Sequence, residues 1–222
     1  MSRLYWNTTR PILQMALRKL MAAGLFAPFR LVGGTSLSLQ LGHRMSDDID
    51  LFTDDEYNSA GFDVIDQYLR EQFPYVTPRI QGPIGMGTSY MVGENDREAI
   101  KLDLYYTDAF IQPPLVEDGI RMATIEEIAA MKIDIVQRQA RKKDFFDVHE
   151  LLDSLTLDAM IQLHKKRYPY NHNESTIRRN FIDFSKADGD FDPICLRGKY
   201  WEVIKWELSE VINSTAGDID YI

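Results

Sequence analysis

The stretch Leu31–Phe52, "LVGGTSLSLQLGHRMSDDIDLF", decides how this chain folds. It reads as the end of a short strand (Phe29 to Val32), a Gly33–Gly34 turn, a helix opening near Thr35 or Ser36, and a second strand, "DIDLFT". Leu37, Leu39 and Leu41 ride on the helix. Side chains alternate along a strand, so Asp48 and Asp50 project from one face while Ile49 and Leu51 project from the other. Asp47 points to the other side or into the preceding turn. Two carboxylates on one face repel each other and lose hydration, so they call for water, a nearby Lys or Arg, or a bound divalent cation. The glycine pair lies where a helix leaves its first N–H groups unpaired, which suits a phosphate. It also suits a tight turn with positive φ, and an isolated D-x-D also occurs as a solvated strand end. An EF-hand is excluded, because the glycine and closing glutamate are missing at the required offsets after Asp48.

Working outward, "SYMVG" and "AIKLDLYYTD" read as two strands joined by the polar turn "ENDRE". In the second, Lys101, Asp103 and Tyr105 share a face and Leu102 and Leu104 take the core side. If this strand lies beside "DIDLF", Asp103 joins Asp48 and Asp50 in a hard oxygen site of the kind Mg²⁺ uses together with substrate phosphates. Compensation then comes from outside the chain, and no Lys or Arg is expected to neutralise the acidic pair in the metal-free fold. Ile12, Leu13, Met15, Ala16, Leu20 and Met21 recur at helical spacing before Gly24, and a further helix is predicted from about Phe62 to Phe73. After "QPPLVEDG" helical patterning takes over. Thr124 and Glu127 form a capping-box pattern, and further helices are predicted over "KKDFFDVHELLDSL", about Leu157 to Arg167, Ser175 to Asp183 and Gly198 to Asn213. The expected fold is α+β, with a mixed-sheet core over 1–114 and a mostly helical half over 115–222, divided near Pro113 and Pro114.

The 222 residues, 45% hydrophobic and 11% aromatic, suffice for one generous domain or two modest ones. With 25 Lys+Arg against 34 Asp+Glu, the net charge of -9 excludes coating of nucleic acid or anionic membrane by bulk electrostatics. The one cysteine, Cys195, excludes an intrachain disulfide and a Cys-rich zinc site, and no partner histidine is evident beside it. No signal-peptide core and no run near the roughly 18 apolar residues of a span is present, so a cytoplasmic protein without membrane segments is expected. His43 reads as a polar loop residue, and His149 has no second histidine at zinc-helix spacing. "HKKRYPYNHNESTIRRNF" collects Lys165, Lys166, Arg167, Arg178 and Arg179 with Tyr168 and Tyr170, which fits a solvated face or a guide for an RNA end.

The glycine turn with its helix start, the S-x-D-x-D strand and the later aspartate strand together describe a polymerase-β-like nucleotidyltransferase core. With "ATIEEIAAMKIDIVQRQARKKDFFDVHELL", they resemble the AbiEii/AbiGii nucleotidyltransferase toxins of type IV toxin–antitoxin systems over roughly residues 30 to 155. The resemblance implies an enzyme that moves a nucleoside monophosphate from a nucleoside triphosphate to an acceptor hydroxyl, with two Mg²⁺ ions. It implies that Gly33, Gly34, Thr35 and Ser46 contact the nucleotide and that Asp48 and Asp50 bind metal. Asp103 is implied as the third carboxylate and a candidate proton acceptor. Lys132 and Lys143 are implied to contact phosphates, Asp144 to assist catalysis or nucleotide placement, and Asp147 to complete the motif. Arg138 and Arg141 are both candidates for the arginine that many relatives carry. On the residues alone, Lys132, Val136 and Gln139 or Lys143 fall near one face of a continuous helix, though Lys142, Lys143, Asp144 and Asp147 also fit an ordinary charged surface. The helical half is expected to complete the nucleotide cleft. RNA such as tRNA is the implied acceptor and a cognate antitoxin encoded nearby the implied partner. A protein or small-molecule acceptor, or a nucleotide-binding regulator without transfer, are the rival readings.

Overall fold

Among the described residues, 3–81 and 86–217 of the computed structural model, eight strands and three α-helices build one unit, Met1–Thr124. Five α-helices build the other, Ile125–Ile222. The strands are β1 (Arg30–Leu31), β2 (Asp48–Thr53), β3 (Tyr75–Val76), β4 (Ile80–Gln81), β5 (Gly87–Gly93), β6 (Ala99–Tyr106), β7 (Leu115–Glu117) and β8 (Ile120–Met122). They form one mixed sheet in the order β3-β5-β6-β2-β1-β8-β7, with β4 paired to β5. Helices α1 (Pro11–Ala22), α2 (Gly33–Leu41) and α3 (Phe62–Gln72) belong to the same unit. The α+β class is as expected.

Period-two alternation sets the sheet's two faces. Ile49 and Leu51 on β2 and Ile100, Leu102 and Leu104 on β6 are buried in one cluster with Leu13, Leu17 and Leu20 of α1. Each such side chain contributes about 1.5–3 kcal/mol when fully buried. A one-residue slip of β2 would exchange these apolar groups for Asp48 and Asp50, so the core itself enforces the register. β2 runs parallel to β6, with Asp48 opposite Lys101 and Asp50 opposite Asp103, and antiparallel to β1. Asp103 therefore lies on the adjoining strand, as the sequence predicts.

The sheet continues past Pro113 and Pro114. β7 and β8 pair around Asp118 (φ 53°) and Gly119 (φ 77°), the two left-handed positions that a tight two-residue hairpin needs. β8 then lies parallel to β1, with Leu31 opposite Met122, so this stretch belongs to the first unit and the division falls after Thr124.

In the second unit, α4 (Ile125–Gln137) and α5 (Lys142–Leu151) replace the single helix expected through Lys143. Gln139 takes a left-handed φ of 68°, which ends α4 and redirects the chain. α6 (Leu157–Arg167), α7 (Glu174–Asn180) and α8 (Trp201–Gly217) follow. Ile128, Ile133, Val136, Phe145, Val148, Met160, Ile161, Phe181 and Leu208 are fully buried, and Phe145, Phe146 and Phe184 gather around Trp201. The basic segment splits. Lys165 and Lys166 are exposed, whereas Arg167 is buried with Nη1 2.7 Å from Glu127 Oε1, and Arg178 pairs with Asp158 and Glu174.

Candidate active site

β1 runs directly into α2, and the turn between them touches the acidic strand. The Val32 N–H donates to the Asp50 carbonyl at 2.9 Å, and Gly33 follows with φ 67°. A Cβ at Gly33 would lie 2.7 Å from Asp50 Oδ2, so a larger residue would strain the backbone and force the carboxylate to move. The N-cap residue of α2, Val32, makes no side-chain capping bond, so this helix start is of the kind whose N–H groups can take an anion. Thr35 is buried. Its Oγ1 donates to the Asp48 carbonyl and lies 2.8 Å from Ser46 Oγ, so these two hydroxyls fasten α2 to the head of β2.

Asp48, Asp50 and Asp103 are half-buried on the face of the sheet opposite Ile49, Leu51 and Leu102. Asp103 is held from two sides: Ser89 Oγ donates to Oδ1 at 2.6 Å and Lys101 Nζ to Oδ2 at 2.5 Å. Burial acts to lower the Lys101 pKa, but the bond to Asp103 and the charges of Asp103, Asp50 and Asp48 raise it overall. The ammonium of Lys101 thus pairs with Asp103, the third carboxylate of the face, and it feels Asp50 and Asp48 only through their charge. Among the described residues, no group of three or more His, Cys, Asp and Glu is arranged to hold a metal ion. Two hard carboxylates beside an uncapped helix start still fit Mg²⁺, which takes one or two carboxylates and completes its shell with water and phosphate oxygens. Asp47 lies apart, in an exposed pair with Arg10 at 2.6 Å.

The second unit holds a buried charge cluster of its own. Lys132 Nζ is 2.7 Å from Asp144 Oδ1 and 2.6 Å from Asp147 Oδ2, with the lysine side chain 4% exposed and the aspartates 1% and 0%. The Arg141 N–H also donates to Asp144 Oδ2 at 3.2 Å. Burial acts to raise the Asp144 pKa, but Lys132 outweighs it and holds the carboxyl below its usual range. The break at Gln139 makes the cluster possible, since α5 can then return its first turn toward Lys132.

A family model described as nucleotidyl transferase AbiEii toxin, type IV TA system, matches residues 16–194. The chain belongs to the AbiEii nucleotidyltransferase toxin family. An uncharacterised protein of Aquifex aeolicus is 28% identical over 207 residues, covering 86% of this chain and 89% of its own length. Among solved structures, JHP933 from Helicobacter pylori superposes with a TM-score of 0.61 at 19% identity, covering 94% of this chain and 90% of that one. The nucleotidyltransferase toxin MenT4 from Mycobacterium tuberculosis gives 0.55 at 15% identity, over 90% and 82%. At these identities the likeness is one of fold.

This AbiEii chain is thus a nucleotidyltransferase, and among its described residues no helix is long and apolar enough to cross a membrane. Its anticipated site residues fall into two sets. Gly33, Gly34, Thr35, Ser46, Asp48, Asp50 and Asp103 come together in the first unit, and Lys132, Asp144 and Asp147 in the second. Lys132 is buried, with its ammonium held by Asp144 and Asp147. Lys143 is half-buried on α5, and Arg138 pairs with Asp134 whereas Arg141 reaches Asp144. His43 lies in the loop after α2, as read, and is buried there, and His149 sits between Glu207 and Lys199. Sequence reasoning passed over Ser89 and the pairing of Lys101, although Lys101 stands two residues before Asp103 on the same face. Gly33→Ala is expected to cost roughly 1–3 kcal/mol in backbone strain. It should also push Asp50 aside and lower transfer at least about tenfold, as a thermal melt and a transfer assay together would show; wild-type behaviour in both would contradict the contact.

Proposed function

We propose that this AbiEii protein transfers a nucleoside monophosphate from a nucleoside triphosphate to the hydroxyl of an RNA acceptor, such as a tRNA end, with Mg²⁺. The observation that carries the reading is the contact between the Gly33 turn and Asp50, which puts an anion-binding helix start against a carboxylate pair. The first-turn N–H groups of α2 receive the triphosphate, and Thr35 and Ser46 keep that turn fixed to β2. Asp48 and Asp50 would hold the metal, with Asp103 available to a second ion. Bound there, Mg²⁺ supplies charge stabilisation at the phosphates and lowers the pKa of the acceptor hydroxyl. Asp103 takes the acceptor proton, the hydroxyl oxygen bonds to the α-phosphorus, and pyrophosphate leaves. Lys132 sets the positions of Asp144 and Asp147. The net charge of -9 argues against broad RNA affinity, and it supports a second reading in which a protein or small molecule carries the hydroxyl. Action in the cytoplasm beside a cognate antitoxin completes the proposal.

The test is purified protein with Mg²⁺ and each labelled triphosphate in turn, offered total RNA and separately a protein extract. Label on RNA with pyrophosphate release, abolished by EDTA, is the expected result. Label on protein alone would move the acceptor, and nucleotide binding without pyrophosphate would make the protein a regulator.

A further inference from the structure

The acidic face has four charged corners. On β2 and β6, Asp48 stands opposite Lys101 and Asp50 opposite Asp103, so three carboxylates and one ammonium share a single patch of sheet. Lys101 closes on Asp103 at 2.5 Å, its side chain 49% exposed and that of Asp103 14%, while Ser89 secures the other carboxylate oxygen. An ammonium is a compact charge on a flexible stem and can leave such a contact without disturbing the backbone. A divalent cation and this ammonium compete for the same carboxylate charge.

We propose that Lys101 is the built-in counter-cation of the site, held by Asp103 in the metal-free protein and displaced when a divalent cation binds. The inference rests on the reading of Asp48, Asp50 and Asp103 as metal ligands. It accounts for how three like charges persist on neighbouring strands without a metal, and for why Asp103 is not already arranged as a third ligand. It also links metal loading to nucleotide. A bare cation must separate Lys101 from Asp103 with nothing returned, whereas a cation arriving with a triphosphate brings phosphate oxygens to which the released ammonium can turn. Lys101 is in this sense a positioning residue that makes the site favour the metal–nucleotide complex over the free ion.

The experiment measures Mn²⁺ binding by electron paramagnetic resonance, with and without a non-hydrolysable nucleoside triphosphate. Lys101→Met is expected to bind free Mn²⁺ about fivefold more tightly than wild type, and Lys101→Arg, which keeps the charge, to resemble wild type. Adding the triphosphate should tighten Mn²⁺ less in Lys101→Met than in wild type. In EDTA the methionine variant should melt below wild type and regain the difference on adding Mn²⁺. Equal or weaker free-ion binding in Lys101→Met, with Asp48→Asn/Asp50→Asn binding none, would overturn the role of Lys101 and leave the metal site standing. Absence of Mn²⁺ binding in wild type and Lys101→Met alike, even with triphosphate, would overturn both.

Discussion

Replacing Asp48 and Asp50 together with asparagine is expected to lower nucleotide transfer at least about a thousandfold while the fold persists. Asparagine keeps the shape of aspartate and removes the charge that would hold a cation. Neither side chain contributes to the core, which is built from Ile49 and Leu51 on the other face of the same strand. The Val32 N–H bond to residue 50 uses the backbone carbonyl and survives the change. Stability should therefore stay within about 1 kcal/mol of wild type, and any thermal stabilisation by Mg²⁺ or Mn²⁺ should vanish. Asp47→Asn is the control, because its exposed pair with Arg10 is worth only about 0–1 kcal/mol and its side chain lies apart from the site. Pyrophosphate release and a melting curve on the same preparations decide the matter. Undiminished transfer by the double variant would remove these two aspartates from the chemistry.

Lys132→Met should unfold far more readily than wild type, by about 3–5 kcal/mol near neutral pH, because it leaves Asp144 and Asp147 buried without their shared ammonium. Asp144 has its pKa lowered in the folded state, so its contribution to wild-type stability is fully present above the ordinary carboxylate value of about 3.9. That contribution fades as the pH falls through the lower folded value. In the variant the unpaired carboxyls favour protonation, so the gap between the two proteins should narrow on acidification. Urea unfolding from neutral pH into the acid range reads both effects. A variant that unfolds with wild type at neutral pH would show that the cluster does not hold the second unit together, and would return Lys132 to the role of a phosphate contact.

The residues missed in sequence share a cause. β7 and β8 are three residues each and follow two prolines, so they carry too little alternation to register as strands. The Asp118–Gly119 pair was the available signal, since both positions take the positive φ of a tight hairpin turn. The break between α4 and α5 lies in "RQARKK", whose glutamine, arginine, alanine and lysine residues are all good helix formers, and nothing local marks Gln139 as left-handed. Arg167 reads as part of a basic surface, yet it is buried against Glu127, a partner on another helix.

By itself, the sequence determined what depends on neighbouring residues. Alternation within "DIDLF" and "AIKLDLYY" set which carboxylates leave the core face, and the glycine pair marked the helix start that follows β1. The shift to helical spacing marked the second half, and the combined motifs pointed to the family. Tertiary structure decided which charges meet. The parallel register of β2 and β6 brought Asp50 level with Asp103, and the turn at Gln139 carried Asp144 and Asp147 to Lys132. Periodicity is a property of the local backbone, whereas an ion pair depends on distances of a few ångströms between segments that only the folded core brings together.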